Sequence, residues 1–520
     1  MQLNKNIFFR FFSCLVLLFM LWTIAASIFS PRIGMIFSLF RNNYSYKVIL
    51  TVNIICVIFS LLIYFLIIRW LKKKKFPVLK NKFTYVFLTI ELVLYFVMLL
   101  LFVKYIGFNQ PVYSNPQNLL LMYIFMGVQA LFGQSYYALI VVFSIIHILT
   151  ITFVFLALKN IKISNFISLF VVQLLIFALQ ITLHVPVAYT DILALFFVSL
   201  TFYFMTRYIQ SYKDKKNWTL NLICALLFCT VGFISKGTVL ILVIAIALFL
   251  AIINRKQWKL LGLLPFLFLF VGNFGWKQFI NSQHLYPDSN YGQPNTHYLM
   301  MGINNAPIPE GLTTYEKSTW VVGAYSTAEQ QFTWHLFLEN KEPKSQVQQE
   351  HLKIIKERYA NLSIKELLKA MNNKVSVTWG SGDLKSSFEV YLGTGKSKKA
   401  ANLFSSKVTG LILYSWMMTI QYLLYIGVLL ACIYLFNSKS KIALLCMIYI
   451  TGYFTFLLFW EASPRYAMGI FVPAILLIGV LLERFSVKDK QVYFYLINNV
   501  KFKNNSTGNV RLAIFELGIV

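Results

Sequence analysis

The stretch KIALLCMIYITGYFTFLLFWEASPRYAMGIFVPAILLIGVLLER, residues 441–484, is two apolar runs separated by the short island Glu461-Ala-Ser-Pro-Arg465-Tyr466. Each run is long enough to cross a bilayer, which takes about 20 mainly apolar residues. The island therefore sets a carboxylate and a guanidinium at the rim of a membrane. Charges there are costly unless they pair, reach the headgroup layer or bind a charged ligand. Arginine is also the side chain whose planar fork grips a phosphate through two parallel hydrogen bonds.

The rest of the chain repeats the pattern. Hydrophobic residues make up 58% of its 520 residues and charged residues only 12%; with a mean hydropathy of +0.67 this excludes a water-soluble globule. Twelve candidate spans follow: 8–30, 47–69, 83–105, 136–158, 163–183, 190–208, 218–234, 237–254, 258–274, 408–436, 441–460 and 467–483. The first run reads as a signal anchor, because its apolar stretch exceeds that of a cleaved signal peptide. The expected fold class is an all-α polytopic membrane protein with one large extracytoplasmic insert. Its expected divisions are an N-terminal transmembrane region 1–274, an insert 275–407, transmembrane helices 408–483 and a basic tail 484–520.

Lysine and arginine orient the spans, since cytoplasmic loops retain them. With the N-terminus inside, the inner segments carry 26 of these residues and the short outer ones 6. Both termini are then cytoplasmic. The net charge of +29 reflects this asymmetry and attraction to anionic lipid, and the scattered cations argue against nucleic acid as a partner. All six cysteines lie in apolar runs, so neither a disulfide framework nor a zinc cluster is implied.

This topology gathers the unusual polar residues on the outer side. Asp191 follows Val185-Pro186-Val187-Ala188-Tyr189-Thr190, Lys236 sits in a tight turn, and Glu461 and Arg465 occupy the island. Asp191 also suits a helix N-terminus, and Lys236 the end of a helix. In the insert, 345–374 alternates apolar residues with charges as one or two amphipathic helices do, with Ser363 and Glu366 spaced as a capping box. The run 119–132 is short for a span and suits the outer surface. Glu91 and His147 fall inside spans, where ionisable residues are functional candidates.

EASPRY followed by AMGIFVPAILLIGVLL resembles the end of the membrane core in the GT-C glycosyltransferase superfamily, family 39 type, which includes protein O-mannosyltransferases and lipid A aminoarabinose transferases. AYTDILALFFVSLTFYFMTRY, GFISKGTVLILV, HYLMMGIN at 297–304 and KVSVTWGSGD at 374–383 resemble the versions in Gram-positive membrane glycosyltransferases. The resemblance, spread over roughly residues 80–485, implies transfer of a sugar from an undecaprenyl-phosphate donor to a cell-envelope glycan, lipid or protein outside a bacterial cytoplasmic membrane. Arg465, Lys236 and Tyr466 are then candidates for the donor phosphate. Asp191 and Glu461 are candidates for the base that takes the acceptor's proton, with Asp288 swinging in from the insert as the alternative, and Asp288, His297 and Trp379 are candidates for the acceptor site.

The chain departs from the family in one respect. GT-C enzymes of this kind carry an acid in an early outer loop, yet 31–46 and 106–135 contain neither Asp nor Glu. The segment 110–118 instead offers amides, Asn115 and Gln117 among them, and an amide cannot take a proton from a hydroxyl. No cofactor is implied, although a divalent ion bridging Asp191 or Glu461 to a phosphate is compatible with hard oxygen ligands. The competing classes are a transporter or flippase of polyprenyl-linked saccharides, a polymerase, and a non-catalytic lipid-binding relative.

Overall fold

The computed structural model describes residues 5–31, 44–73, 81–106, 118–214, 217–254, 258–284, 293–303, 323–324, 327–392 and 406–486. Asn115, Gln117 and Asp288 lie outside these residues. Among the described residues the elements are helical, apart from one isolated parallel bridge between Ala324 and Ala462.

Among the described residues ten helices are long and apolar enough to cross a membrane. They are α1 (Lys5–Phe29), α2 (Tyr46–Lys73), α3 (Asn81–Ile106), α5 (Tyr136–Asn160), α7 (Thr190–Asp214), α8 (Trp218–Ser235), α10 (Trp258–Ser282), α16 (Lys407–Tyr434), α17 (Lys441–Phe459) and α18 (Phe471–Ser486), the last led by a 3₁₀ segment Pro464–Ile470. Shorter apolar helices are α4 (Leu119–Phe132), α6 (Asn165–Ile176) and α9 (Leu240–Ile253).

Two of the twelve expected spans are thus shorter than the sequence suggests. The run 163–183 is interrupted: α6 stops at Phe177, a four-residue helix Leu179–Thr182 follows, and a 3₁₀ turn Val185–Val187 completes the segment. The run 237–254 opens with a 3₁₀ turn Gly237–Val239 before α9 begins.

Burial separates centre from periphery. The span of α18 is 83% buried, whereas that of α10 is 11% buried and turns most of its surface outward. In a bilayer an apolar surface of that kind faces lipid. Around α18 pack α16, α17, α6, α2 and α5, while α7 lies between α5 and α8.

The insert contains α11 (Thr296–Gly302), α12 (Thr327–Trp334), α13 (Lys344–Asn361), α14 (Ile364–Gly380) and α15 (Ser386–Leu392). The capping box forms at α14: Glu366 N donates to Ser363 Oγ at 3.3 Å and Ser363 N to Glu366 Oε2 at 2.9 Å. From Lys374 to Gly380 every residue of α14 is buried, because this end packs against α1, α17 and the 3₁₀ segment. The insert is therefore rooted among the spanning helices, and its root reaches the Glu461 island.

Candidate active site at one end of the bundle

Local backbone places each charged group. The left-handed Ala188 (φ 49°) ends the 3₁₀ turn and directs the chain into α7, whose first turn holds Asp191, an acid where the helix dipole favours one. Lys236 ends α8 in an extended conformation, its N–H bonded to Gly232 O at 2.9 Å. Pro464 starts the 3₁₀ segment that carries Arg465 and Tyr466; the turn needs no N–H from its first residue. Tyr453 of α17 fastens that segment by donating to Tyr466 O at 3.0 Å.

Asp191, Lys236, Glu461, Arg465 and Tyr466 converge. Lys236 Nζ pairs with Asp191 Oδ1 and lies 5.2 Å from the centre of the Tyr466 ring. Arg465 is held between aromatic rings, with Cζ 5.3 Å from the centre of Tyr189 and 5.9 Å from that of Tyr466. Among the described residues no carboxylate lies within 4.0 Å of its guanidinium, and its buried Nε has no hydrogen-bond partner. The lysine is thus committed to a carboxylate and the arginine is not.

A cavity of about 880 Å³ opens beside this cluster. Glu461, Arg465, Lys236 and Tyr466 are on its wall, together with Asn118, the last residue of the amide-bearing loop. Asp191 is absent from the wall; it lies behind Lys236, in a narrow gap shared with Tyr449 and Tyr453. The two candidate carboxylates are therefore placed differently. Glu461 faces the space where a ligand fits, and Asp191 faces a lysine.

Elsewhere the cavity is lined by aromatic rings (Trp276, Tyr298, Trp460), amides (Asn273, Gln293, Gln330) and the basic side chains Lys277, His284 and Lys344. Flat rings and amides suit the neutral polar part of a ligand, because they supply apolar faces and both donors and acceptors, and the lysines suit an anionic part. Tyr298 stacks on Trp460 with centroids 5.2 Å apart, which ties α11 to the residue before Glu461. Nothing in the sequence singles these residues out, although Tyr189 and Trp460 adjoin Asp191 and Glu461.

Burial shapes the ionisable groups at the rim. It lowers the Lys236 ammonium below the usual lysine range, against the opposing pull of Asp191. Burial also raises the Glu461 carboxyl above its ordinary value, with Arg465, Lys385, Lys374 and Lys236 opposing. Lys374 is lowered by burial to about 7, with Glu461 opposing. Beside the cluster, Asp383 is raised by burial to about 6 while it caps α15 through Lys385 N at 3.0 Å and Ser387 Oγ. His184 Nε2–H donates to Leu384 O at 2.8 Å, which joins the end of the interrupted segment to the same loop.

Two other candidates sit away from the cavity wall. His297 is fully buried inside the insert, where Thr333 Oγ1 lies 2.7 Å from its Nδ1 and 3.0 Å from His351 Nε2. Burial lowers these imidazoles to about 3 and about 4 respectively, so both are neutral at pH 7. Trp379 is buried against Phe454, with ring centroids 5.5 Å apart, and its carbonyl accepts from Tyr425 at 2.8 Å. Within the bundle, His147 meets Tyr95 at 3.2 Å and Tyr95 meets Thr182 at 2.7 Å, a polar link across the interrupted segment. Glu91 lies one helical turn before Tyr95 on α3. No group of three His, Cys, Asp or Glu able to hold a metal ion occurs among the described residues.

Residues 114–276 match the family model of the dolichyl-phosphate-mannose-protein mannosyltransferases. The resemblance to GT-C membrane glycosyltransferases is borne out. The matched segment runs from within the amide loop into α10 and includes Asp191 and Lys236; Glu461 and Arg465 lie beyond it. No curated protein and no solved structure matches the chain. The family match supports a membrane glycosyltransferase of GT-C type, a class in which a lipid-linked sugar is the general donor.

Proposed function

We propose that this chain transfers a sugar from a polyprenyl-phosphate donor, undecaprenyl phosphate in a bacterial cytoplasmic membrane, to a cell-envelope glycan, lipid or protein on the outer face. The observation that carries this reading is the Arg465 guanidinium. Among the described residues no carboxylate lies within 4.0 Å of it, and it stands on the wall of a cavity of about 880 Å³, beside Lys236 and within the same rim as Glu461.

The chemistry follows from that placement. The donor is a phosphodiester whose lipid tail lies among the spans and whose phosphate sits at headgroup level. Arg465 binds two phosphate oxygens and Lys236 supports a third contact, while Asp191 holds Lys236 in place. Glu461 takes the proton of the acceptor hydroxyl as its oxygen attacks the anomeric carbon. The bond from that carbon to the phosphate oxygen breaks, and its electron pair leaves with the polyprenyl phosphate. Negative charge grows on the leaving group, and cations fixed in advance stabilise it. A phosphate departs without protonation, so one base suffices, and attack from the opposite face inverts the anomeric centre. Burial that raises Glu461 brings it closer to the pH at which a base is most effective.

The test is transfer of label from undecaprenyl-phosphate-linked hexoses to envelope material in membranes containing the full chain. Glu461→Gln should lower transfer by about 10²- to 10⁴-fold, the span attributed to general-base catalysis, with donor binding retained. Undiminished transfer by Glu461→Gln removes it as the base. Donor binding by the wild-type chain without transfer to any acceptor favours a non-catalytic lipid-binding protein.

A further inference from the structure

Under the Glu461 island lies a cation that the phosphate site does not use. Lys374, on the buried end of α14, is 2% exposed, and its Nζ donates to Gly302 O at 2.7 Å. Its Cγ and Cδ run beneath Gly323, where any Cβ would stand 2.9 Å from each. Gly323 adopts φ +85°, a conformation that favours glycine, and its carbonyl accepts from Ala462 N at 2.6 Å. From the other side Gly302 presses on the end of α17, since a Cβ there would lie 2.3 Å from Phe459 O. Gly302 and Gly323 thus grip the backbone before and after Glu461. Lys374 is the pin through them.

The charge has one counterpart. Among the described residues no carboxylate is within 4.0 Å of Lys374, and Glu461 is the acid whose field acts on it. A buried ammonium is costly without an opposite charge nearby, and the contacts of Lys374 with Gly302 and Gly323 place it beside the backbone that flanks Glu461. The groups facing Glu461 are Arg465 and Tyr466 from the 3₁₀ segment, Lys385 from the loop before α15, Lys236 from the turn after α8, and Lys374. Lys236 is taken by Asp191, and Lys385 has Glu389 at 3.9 Å. Arg465 is the cation kept for the donor.

We propose that Lys374 is a positioning residue through which the insert fixes the Glu461 segment and, in its charged form, favours the ionised carboxylate at the cavity wall, without touching substrate. The catalytic consequence rests on Glu461 being the base; the electrostatic link does not. Loss of a neighbouring cation disfavours the ionised carboxyl, so the carboxyl then titrates at higher pH.

Dicyclohexylcarbodiimide, which attacks protonated carboxyls, reads this without turnover. The full chain is labelled across pH 4.5 to 8.5 and the adduct on Glu461 is quantified by mass spectrometry. Lys374→Met should move the labelling midpoint up by about one pH unit, a typical effect of one nearby charge, while Lys374→Arg should leave it near the wild-type value. Lys374→Gln, which retains a donor for Gly302 O, should show the same rise and serves where the methionine variant does not fold. An unmoved midpoint in the neutral variants overturns the inference. A moved midpoint together with full transfer by Glu461→Gln leaves the Lys374 link standing and removes Glu461 as base. An unmoved midpoint with an inactive Glu461→Gln overturns the link alone.

Discussion

Replacing Arg465 separates its roles as charge and as fork. Hydrogen bonds to charged groups contribute about 1.5–3 kcal/mol each. Two of them lost in Arg465→Ala therefore cost at least about 3 kcal/mol, or roughly 150-fold in affinity for a polyprenyl phosphate. Lys236 cannot compensate, because Asp191 already engages it. Arg465→Lys keeps a point charge but loses one bond and the planar contact with Tyr189 and Tyr466, which predicts about 1.5 kcal/mol, close to tenfold. The assay is equilibrium binding of radiolabelled undecaprenyl phosphate to the full chain in nanodiscs at fixed ionic strength. The expected order of affinity is Arg, then Lys, then Ala. If Arg465→Ala binds within about twofold of wild type, the guanidinium does not hold the phosphate and the reasoning fails.

Two further outcomes are expected. Asp191→Asn leaves Lys236 facing a neutral amide, and breaking a buried pair in this way costs about 3–5 kcal/mol; Asp191→Asn/Lys236→Met should recover most of the lost thermal stability while donor binding stays weak, and a double variant no more stable than the single contradicts the pairing. A cysteine at Ile364, the 80% exposed first residue of α14, should react with a membrane-impermeant maleimide on intact cells. Reaction only after permeabilisation places the insert, and the site with it, on the cytoplasmic side.

Much of this site is legible in the sequence because each of its charges ends an apolar run. Counting spans puts Asp191, Lys236, Glu461 and Arg465 on one side without any knowledge of packing, and the fold brings them together. Their division of labour is not legible in the same way. Whether an aspartate faces a lysine or a cavity depends on side-chain direction, which spacing along the chain does not encode. The interruption of 163–183 is hidden for a related reason: Phe177 and Ala178, where the helix breaks, are as apolar as their neighbours, and Pro186 marks only the later end of the segment.

Lys374 is not legible as a buried cation because 345–374 alternates charge and apolar residues like a solvated helix, whereas 374–380 is wholly buried. The run of small residues after it (Ser376, Thr378, Gly380) was the available signal, since such residues let a helix enter a packed bundle. Ser376 does so, donating to Ser30 O at the end of α1. His297 and Trp379 show the converse. They are candidates for the acceptor site, although a packed core is the commoner place for a tryptophan, and both are core residues with internal partners.

A phosphate pocket at the rim, assembled from helix ends distant in sequence, is decided by a structure of the full chain determined with undecaprenyl phosphate. The phosphate is expected within hydrogen-bonding distance of Arg465 and Lys236, with Glu461 across the same cavity. A phosphate bound elsewhere, with Arg465 turned to another partner, would contradict it.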